Sequence, residues 1–325
     1  ATFDDGYEST VDTESVIVTN APPTVTSVNV IPDPPTGSDE LTCDYTLEDP
    51  DTGDTPTAQM SWLVNGQPVT DGLVTIDSTA GHSCGLTASG EAVCWGNDTN
   101  GELTPPQGTG PFTQIAVGKG HTCALDTNQD AICWGDNTYG QAPGSQTGPF
   151  TALSAGTIFT CALDSKGNSE CWGDMSGTTY TMPEGEGPFV ALSAGNHSTV
   201  AARHICALDQ SGEAVCWGED ASGEATPPAT GGPYTAISAG GSHTCALDQA
   251  GEAVCWGNSA NGVFPPQGSG PFTAITAGFY TTCAIEESSG EPVCFGDDSY
   301  GLVSAAPQGL RPFVAISMSG GDGGN

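Results

Sequence analysis

The chain has 325 residues, enough for two or more domains with a sizeable core, and its 46 glycines and 24 prolines leave few runs of helix formers. Four Lys and Arg against 39 Asp and Glu set a formal net charge of −35, a field that disfavours nucleic acid and anionic membrane surfaces as partners and attracts Ca²⁺, basic proteins or basic surfaces. No apolar stretch approaches the roughly 20 residues of a membrane span, and a start at Ala1 without a signal peptide reads as a processed chain or a fragment.

Residues 1–20, "ATFDDGYESTVDTESVIVTN", read as an extended segment centred on "ESVIVTN" (14–20), with Val16 and Val18 on one face of a strand and Ile17 on the other. Residues 21–72 follow. Within them "TVTSVNVIP", "ELTCDYTLED" and "AQMSWLVNG" resemble strands A, B and C of a bacterial immunoglobulin-like module, with Cys43 and Trp62 at the strand-B Cys and strand-C Trp positions. The resemblance implies a partial β-sandwich, since the later strands are missing, and the opening segment looks like the strand-F end and strand G that the half-module lacks. A seven-residue strand is about 23 Å long, and the linker "NAPPT" is short and stiffened by proline. This geometry predicts that residues 1–20 are donated to a neighbouring copy, with Val16, Ile17, Val18, Cys43 and Trp62 as interface residues. The acceptor is the half-module or an unfinished blade near Phe313 and Ile316. The alternative is a piece cut from a longer multi-module surface protein.

Within residues 21–72, between the strand-B and strand-C stretches, lies "EDPDTGD" (48–54). Asp49, Asp51 and Asp54 supply hard oxygen ligands that can bind Ca²⁺, while an acidic turn accounts for the same residues. No other cofactor is expected.

From residue 73 to 325 one unit recurs, beginning near Val74, Pro111, Pro149, Pro188, Pro233 and Pro271. "PYTAISAGGSHTCALDQAGEAVCWGNSANG" is typical: "FTAIS"-type and "HTCALD" segments alternate at period 2, and a three-residue connection ending in Gly suits a type I turn closed by a bulge. First cysteines are spaced by 39, 38, 45, 39 and 38 residues, the long step carrying "NHSTVAA" (196–202). Tandem strand units of this length suggest a β-propeller or solenoid. The pattern "SAGxxHTCALxxxGxxxCWGxNxxG" resembles the RCC1-like repeat, closest to its shorter Cys-containing bacterial and extracellular version. This implies an all-β propeller over 73–325 but carries over no nucleotide-exchange or chromatin role. Six Cys hairpins stand beside seven "FTAIS"-type strands, the last at "PFVAIS" (312–317), so six and seven blades both remain open.

Twelve of the 13 cysteines pair by spacing: Cys84/Cys94, Cys123/Cys133, Cys161/Cys171, Cys206/Cys216, Cys245/Cys255 and Cys283/Cys294. Residues ten apart across a three-residue turn face each other, close enough for a disulfide. Six such bonds imply an oxidising, extracytoplasmic setting and about 2–3 kcal/mol each in the loop-entropy model. Cys43 is left odd. The rival reading is zinc held by His82, His121, His204 and His243 with the cysteines; packing histidines and disulfides are the reading preferred, because Phe159 and Thr281 stand in for His while both Cys remain and a fourth ligand is lacking. The tryptophans of "CWG" (Trp95, Trp134, Trp172, Trp217 and Trp256, with Phe295 in the sixth copy) are expected to pack between blades. Asn97 and Asn196 head glycosylation sequons.

No phosphate loop, metalloprotease motif or nucleophile elbow occurs, so no catalytic residues and no enzyme are expected. The sequence points to a secreted or cell-surface, acidic structural protein, a homopolymer built head to tail by strand donation. The alternative is a propeller binding module for a protein or glycan.

Overall fold

The structure is a computed structural model. It describes residues 15–17, 24–31, 42–48, 57–59, 62–64, 67–69, 73–79, 81–174, 186–195, 204–266, 268–297, 316 and 317, with backbone only before residue 73 and at 261. The chain divides into two compact units, Ala1–Gly72 and Leu73–Asn325.

In the first unit the described residues form three antiparallel pairs. Thr24–Ile31 pairs with Thr42–Glu48, placing Cys43 opposite Val30. Trp62–Val64 pairs with Gln67–Val69, placing Trp62 opposite Val69. Ser15–Ile17 pairs with Thr57–Gln59, Val16 opposite Ala58. The central part of the expected donor strand is therefore taken up within its own chain. Three residues of ladder need no strand that spans the height of a sandwich. Val18 and the loop carrying Asp49, Asp51 and Asp54 lie outside the described residues.

The second unit is built from blades. Each is an antiparallel sheet whose strands follow sequence order. Blade 1 is Leu73–Ser78, His82–Thr87 and Ala92–Gly96; blade 2 is Phe112–Gly118, His121–Asp126 and Ala131–Gly135, with Ser145–Gln146 as a fourth strand. Blade 3 is Phe150–Ala155, Phe159–Asp164 and Ser169–Gly173; blade 4 is Phe189–Ala194, His204–Asp209 and Ala214–Gly218. Blade 5 is Tyr234–Ala239, His243–Asp248 and Ala253–Gly257; blade 6 is Phe272–Ala277, Thr281–Glu286 and Pro292–Gly296. First strands of successive blades contact one another and form the inner wall of the ring.

The hairpin of blade 5 shows how sequence makes a blade. Asp248 Oδ1 accepts from the backbone N of Ala250 (2.8 Å) and of Glu252 (2.9 Å), and Gly251 closes the turn at φ +77°. That conformation suits glycine. The register then sets Cys245 opposite Cys255. In blade 6 the connection is one residue longer, and the extra residue is absorbed before Gly290, leaving Cys283 opposite Cys294. The period-2 pattern of each first strand is interrupted by a bulge at its second residue, such as Thr113 in blade 2 and Val190 in blade 4, which leaves those side chains exposed.

Five apolar clusters form the core, and each is a seam between neighbouring blades. The cluster between blades 1 and 2 joins Cys84, Cys94 and Leu86 to Phe112, Ile115 and Trp134. The same division recurs up to blades 5 and 6, where Leu247 meets Phe272, Ile275 and Phe295. Each blade thus offers a disulfide face forwards and an aromatic face backwards. Ser317 takes a seventh inner position: its Oγ accepts from Ser78 N of blade 1 at 3.1 Å. In the same way Ser154, Ser193 and Ser238 accept from Ala194, Ala239 and Ala277 one blade on, each at 2.9 Å.

Candidate functional site

Two places in the blade unit gather polar chemistry, the buried seams and the two rims. All six expected disulfides form, each within one hairpin: Cys84–Cys94, Cys123–Cys133, Cys161–Cys171, Cys206–Cys216, Cys245–Cys255 and Cys283–Cys294. None crosses a seam. The seams rest instead on packing and a repeated hydrogen-bond chain.

In four blades the middle strand starts with a histidine that reaches across the seam. His82 Nε2 lies 2.7 Å from Thr122 Oγ1, His121 Nε2 2.9 Å from Thr160 Oγ1, His204 Nε2 2.7 Å from Thr244 Oγ1 and His243 Nε2 2.9 Å from Thr282 Oγ1. Three of these threonines donate onward to a loop carbonyl: Thr122 to Glu102 O (3.1 Å), Thr160 to Gln141 O (3.1 Å) and Thr244 to Glu224 O (2.9 Å). The same carbonyls accept the indole N–H of Trp134, Trp172 and Trp256. A threonine hydroxyl has one proton, so a threonine that donates to the carbonyl accepts from the imidazole, and the ring carries its proton on Nε2. Burial holds His82, His121 and His243 down to about 4. The rings bond to threonines and the cysteines beside them are in disulfides, as the packing reading expects.

At the seam between blades 3 and 4 both partners change together. Phe159 stands where the histidine would, Ile205 where the threonine would, and the two are buried in one cluster. At the first seam Asp77 replaces the serine of other blades. Its Oδ2 accepts from Val117 N (2.8 Å) and its Oδ1 from Ser78 N and Ser317 Oγ (both 2.9 Å), so one carboxylate holds the blade on either side. Burial raises its pKa against those hydrogen bonds. Blade 2 has Ala116 at the serine position, and Gln114 takes over: its Nε2 donates to Leu153 O and its Oε1 accepts from Leu153 N, both at 3.0 Å. These polar clasps were not foreseen, although the signal lay in the sequence as departures from the repeat at positions 77, 114, 159 and 205.

The rims differ. The turn rim carries the hairpin turns and is lined with carboxylates, among them Asp126, Asp164, Asp209 and Asp248, which cap their own turns. Two shallow clefts of about 530 and 290 Å³ lie side by side there, at seams 2/3 and 3/4, sharing Thr151. The loop rim holds the segments that leave the first and third strands. It carries three exposed aromatics, Trp95, Tyr139 and Tyr280, at 37%, 50% and 42% exposure. Trp95 departs from the expected interblade packing that Trp134, Trp217 and Trp256 obey. The insertion 196–202 lies outside the described residues. Asn97 is exposed on the loop rim, its Oδ1 accepting from Thr99 N at 2.7 Å, while Asn196 lies outside the described residues.

The blade sequence matches the model of the regulator of chromosome condensation (RCC1) repeat at residues 74–102, 112–141 and 234–263. The chain carries RCC1 repeats. No curated protein sequence matches it. Among solved structures, the RCC1-repeat chain is similar to the entire ectodomain of the receptor kinase CR4 of Physcomitrella patens. The identity is 29% and the TM-score 0.58, over 72% of this chain and 64% of that one, so this chain spans less than two thirds of the moss ectodomain. It is similar to the CRINKLY WD40 ectodomain of the Arabidopsis thaliana receptor kinase ACR4 at 25% identity and TM-score 0.60, over 83% and 90% of the two chains. Prp20p of Saccharomyces cerevisiae, described with its binding to Gsp1p and histones, matches at 17% identity and TM-score 0.57 over 73% and 74%. That likeness shows the propeller fold alone. No helix among the described residues is long and apolar enough to cross a membrane.

Proposed function

We propose that the RCC1-repeat unit is an extracellular recognition module that docks a protein partner of basic surface on its loop rim. The observation that carries this is that, among the described residues, the exposed aromatics are Tyr139 and Tyr280 in the loops of that rim and Trp95 at the strand end beside it, while Trp134, Trp217 and Trp256 are buried in the seams. The loops that leave the third strands carry carboxylates of their own, Asp98, Asp136 and Asp220, and aromatic anchors among them suit a cationic protein surface. The formal charge of −35 adds long-range steering toward such a partner. Six disulfides and the likeness to two receptor-kinase ectodomains support an extracellular or cell-surface setting. The module binds and does not catalyse. It works without a resident cofactor, Ca²⁺ at Asp49, Asp51 and Asp54 being the one candidate, read by whether chelation lowers the melting temperature. Residues 21–72 serve as a partial immunoglobulin-like spacer.

Placing a photo-crosslinker at Tyr139 and, in a second variant, at Thr235 of the turn rim tests the reading on native cell-surface or secreted material. A partner captured from position 139, and lost on Trp95→Ala with Tyr280→Ala, supports it. Capture only from position 235 overturns it. Capture only of further copies of the chain, with large polymers on size analysis, returns the filament built by donation of residues 1–20.

A further inference from the structure

We propose that the ring is an acid-opened closure: protonation of His82, His121 and His243 releases the seams they cross, while the seam held by Phe159 and Ile205 stays shut. The geometry carries this. At the seams of His82 and His121 the imidazole donates through Nε2 to a threonine whose own proton is committed to Glu102 O or Gln141 O. His243 makes the same contact to Thr282. A second proton must go to Nδ1. His82 Nδ1 is buried without a hydrogen-bond partner, so an N–H and a positive charge arrive together where nothing accepts them. A backbone carbonyl of the next blade closes in behind two of the rings: a Cβ on Gly118 would lie 2.6 Å from Gly156 O and against the His121 ring, and one on Gly240 would lie against Gly278 O and 3.0 Å from His243 Cε1. Behind His82 stands Thr79, whose Oγ1 donates to Gly118 O at 3.0 Å.

The ionisable groups facing these rings are few. For His82, burial outweighs the attraction of Asp98, with His121 as a further neighbour. For His121, burial outweighs the Lys119 backbone and Asp136, which favour the charged ring, and His82 opposes it. For His243 only burial acts. The carboxylates of Glu102 and Glu224 in the adjoining loops are turned back to Asn100 N and Ser222 N. The folded histidines sit near 4 and the unfolded ones near 6.5, so the unfolded chain binds more protons between those values. Stability is full above pH 6.5 and falls as the pH drops toward 4. Asp77 acts in the opposite sense, because its raised folded pKa stabilises the ring as the pH falls. The carboxylates held low, Asp136, Asp164 and Asp209, lose their contribution only as the pH falls below this window. No disulfide crosses a seam, so blades part with their hairpins intact.

The chain supplies its own control, the apolar pair at the third seam. His121→Phe with Thr160→Ile copies it into the second seam, and Phe159→His with Ile205→Thr writes the polar pair into the third. Acid unfolding of the full chain is followed by tryptophan fluorescence at fixed salt, with the thermal midpoint at pH 7.5 as the folding control. The first variant should lower the pH of half-unfolding and reduce the proton uptake on unfolding by about one, and the second should raise both. If neither moves, the proposal fails. Should a variant not fold, NMR titration of the natural chain decides: ring resonances of His82, His121 and His243 must show the Nε2–H tautomer and stay neutral well below pH 6. Titration near 6.5 in the folded ring overturns the idea.

Discussion

The seam between blades 4 and 5 and the seam that closes the ring at blade 1 occupy the same place in the repeat yet differ. In the first, Trp256 is buried at 6% exposure against Cys206, Leu208 and Tyr234, and Ser193 supplies one clasp to Ala239. In the second, Trp95 and Leu73 are each 37% exposed, and the polar clasp is larger, with Asp77, Ser78 and Ser317 bonded together. Among the described residues, the interior joint is held by apolar area and the closing joint by hydrogen bonds to a buried carboxylate. Equivalence along a repeat does not make positions equivalent in energy, because each blade face is defined by the neighbour it meets.

Truncating the two tryptophans should separate the joints most widely. Trp256→Ala removes a buried indole and its bond to Glu224 O, an expected loss of about 3–5 kcal/mol in denaturant unfolding. Trp95→Ala should lower stability by less than half as much. Equal losses would show that Trp95 is covered as fully as its counterpart.

Asp77→Ala comes next. It strands Val117 N in a buried site and leaves Ser78 N with Ser317 Oγ alone, and about 1–3 kcal/mol should be lost, with Ser317→Ala near the lower end of that range. Asp77→Asn sharpens the test through pH. Its loss should be smallest near neutral pH and should grow as the pH falls through the raised pKa of the native carboxyl, since only the natural chain gains stability there. A stability difference between the two chains that is flat from pH 7 to 4 would remove Asp77 from the closure.

Much of the interior joint was legible in the sequence. Ten-residue Cys spacing with glycine closing the turn dictates opposed cysteines, and the structure forms those bonds. The histidines were legible as packing residues, but their partners were not. Thr122 and Thr160 stand one blade on, some 40 residues away, and nothing local marks the contact. What does mark it is a coupled change: Phe159 for His in one copy and Ile205 for Thr in the next. Reading copies against each other one blade out of step would have exposed the pair. The closing joint was less legible, because Trp95 carries the same motif as Trp256 and only its neighbour distinguishes it. Residues 1–20 were read from strand length and linker stiffness. The short ladder of Ser15–Ile17 on Thr57–Gln59 satisfies the backbone without the long crossing that reading assumed.

The smallest effect tests whether departures from the repeat are always answered by a compensating partner, as at Gln114 and Phe159. In blade 2 the hairpin turn runs Asp126–Thr127–Asn128–Gln129–Asp130, and Gln129 sits at φ +68° where Gly90, Gly212 and Gly251 sit at +82°, +83° and +77°. A side chain with a Cβ is strained in this region by about 1–2 kcal/mol. Asp126 Oδ1 accepts from Asn128 N and Asp130 N, and its Oδ2 from Asn128 Nδ2 at 3.2 Å. Asp164 likewise accepts from two backbone N–H groups and an asparagine Nδ2 in the turn that carries Gly167, so these bonds do not offset the strain at Gln129. Gln129 O still receives Phe150 N at 2.9 Å, a backbone contact that glycine would keep. Gln129→Gly relieves the strain but frees the unfolded chain, which returns about 0.5–1 kcal/mol of the gain. The net expectation is a stabilisation of about 0.5 kcal/mol, and Gln129→Ala should give none. Thermal unfolding of the three chains side by side measures it. A loss of stability on Gln129→Gly would show that the Gln129 side chain, which borders the cleft shared with Thr113 and Thr151, makes an interaction there that outweighs its backbone strain.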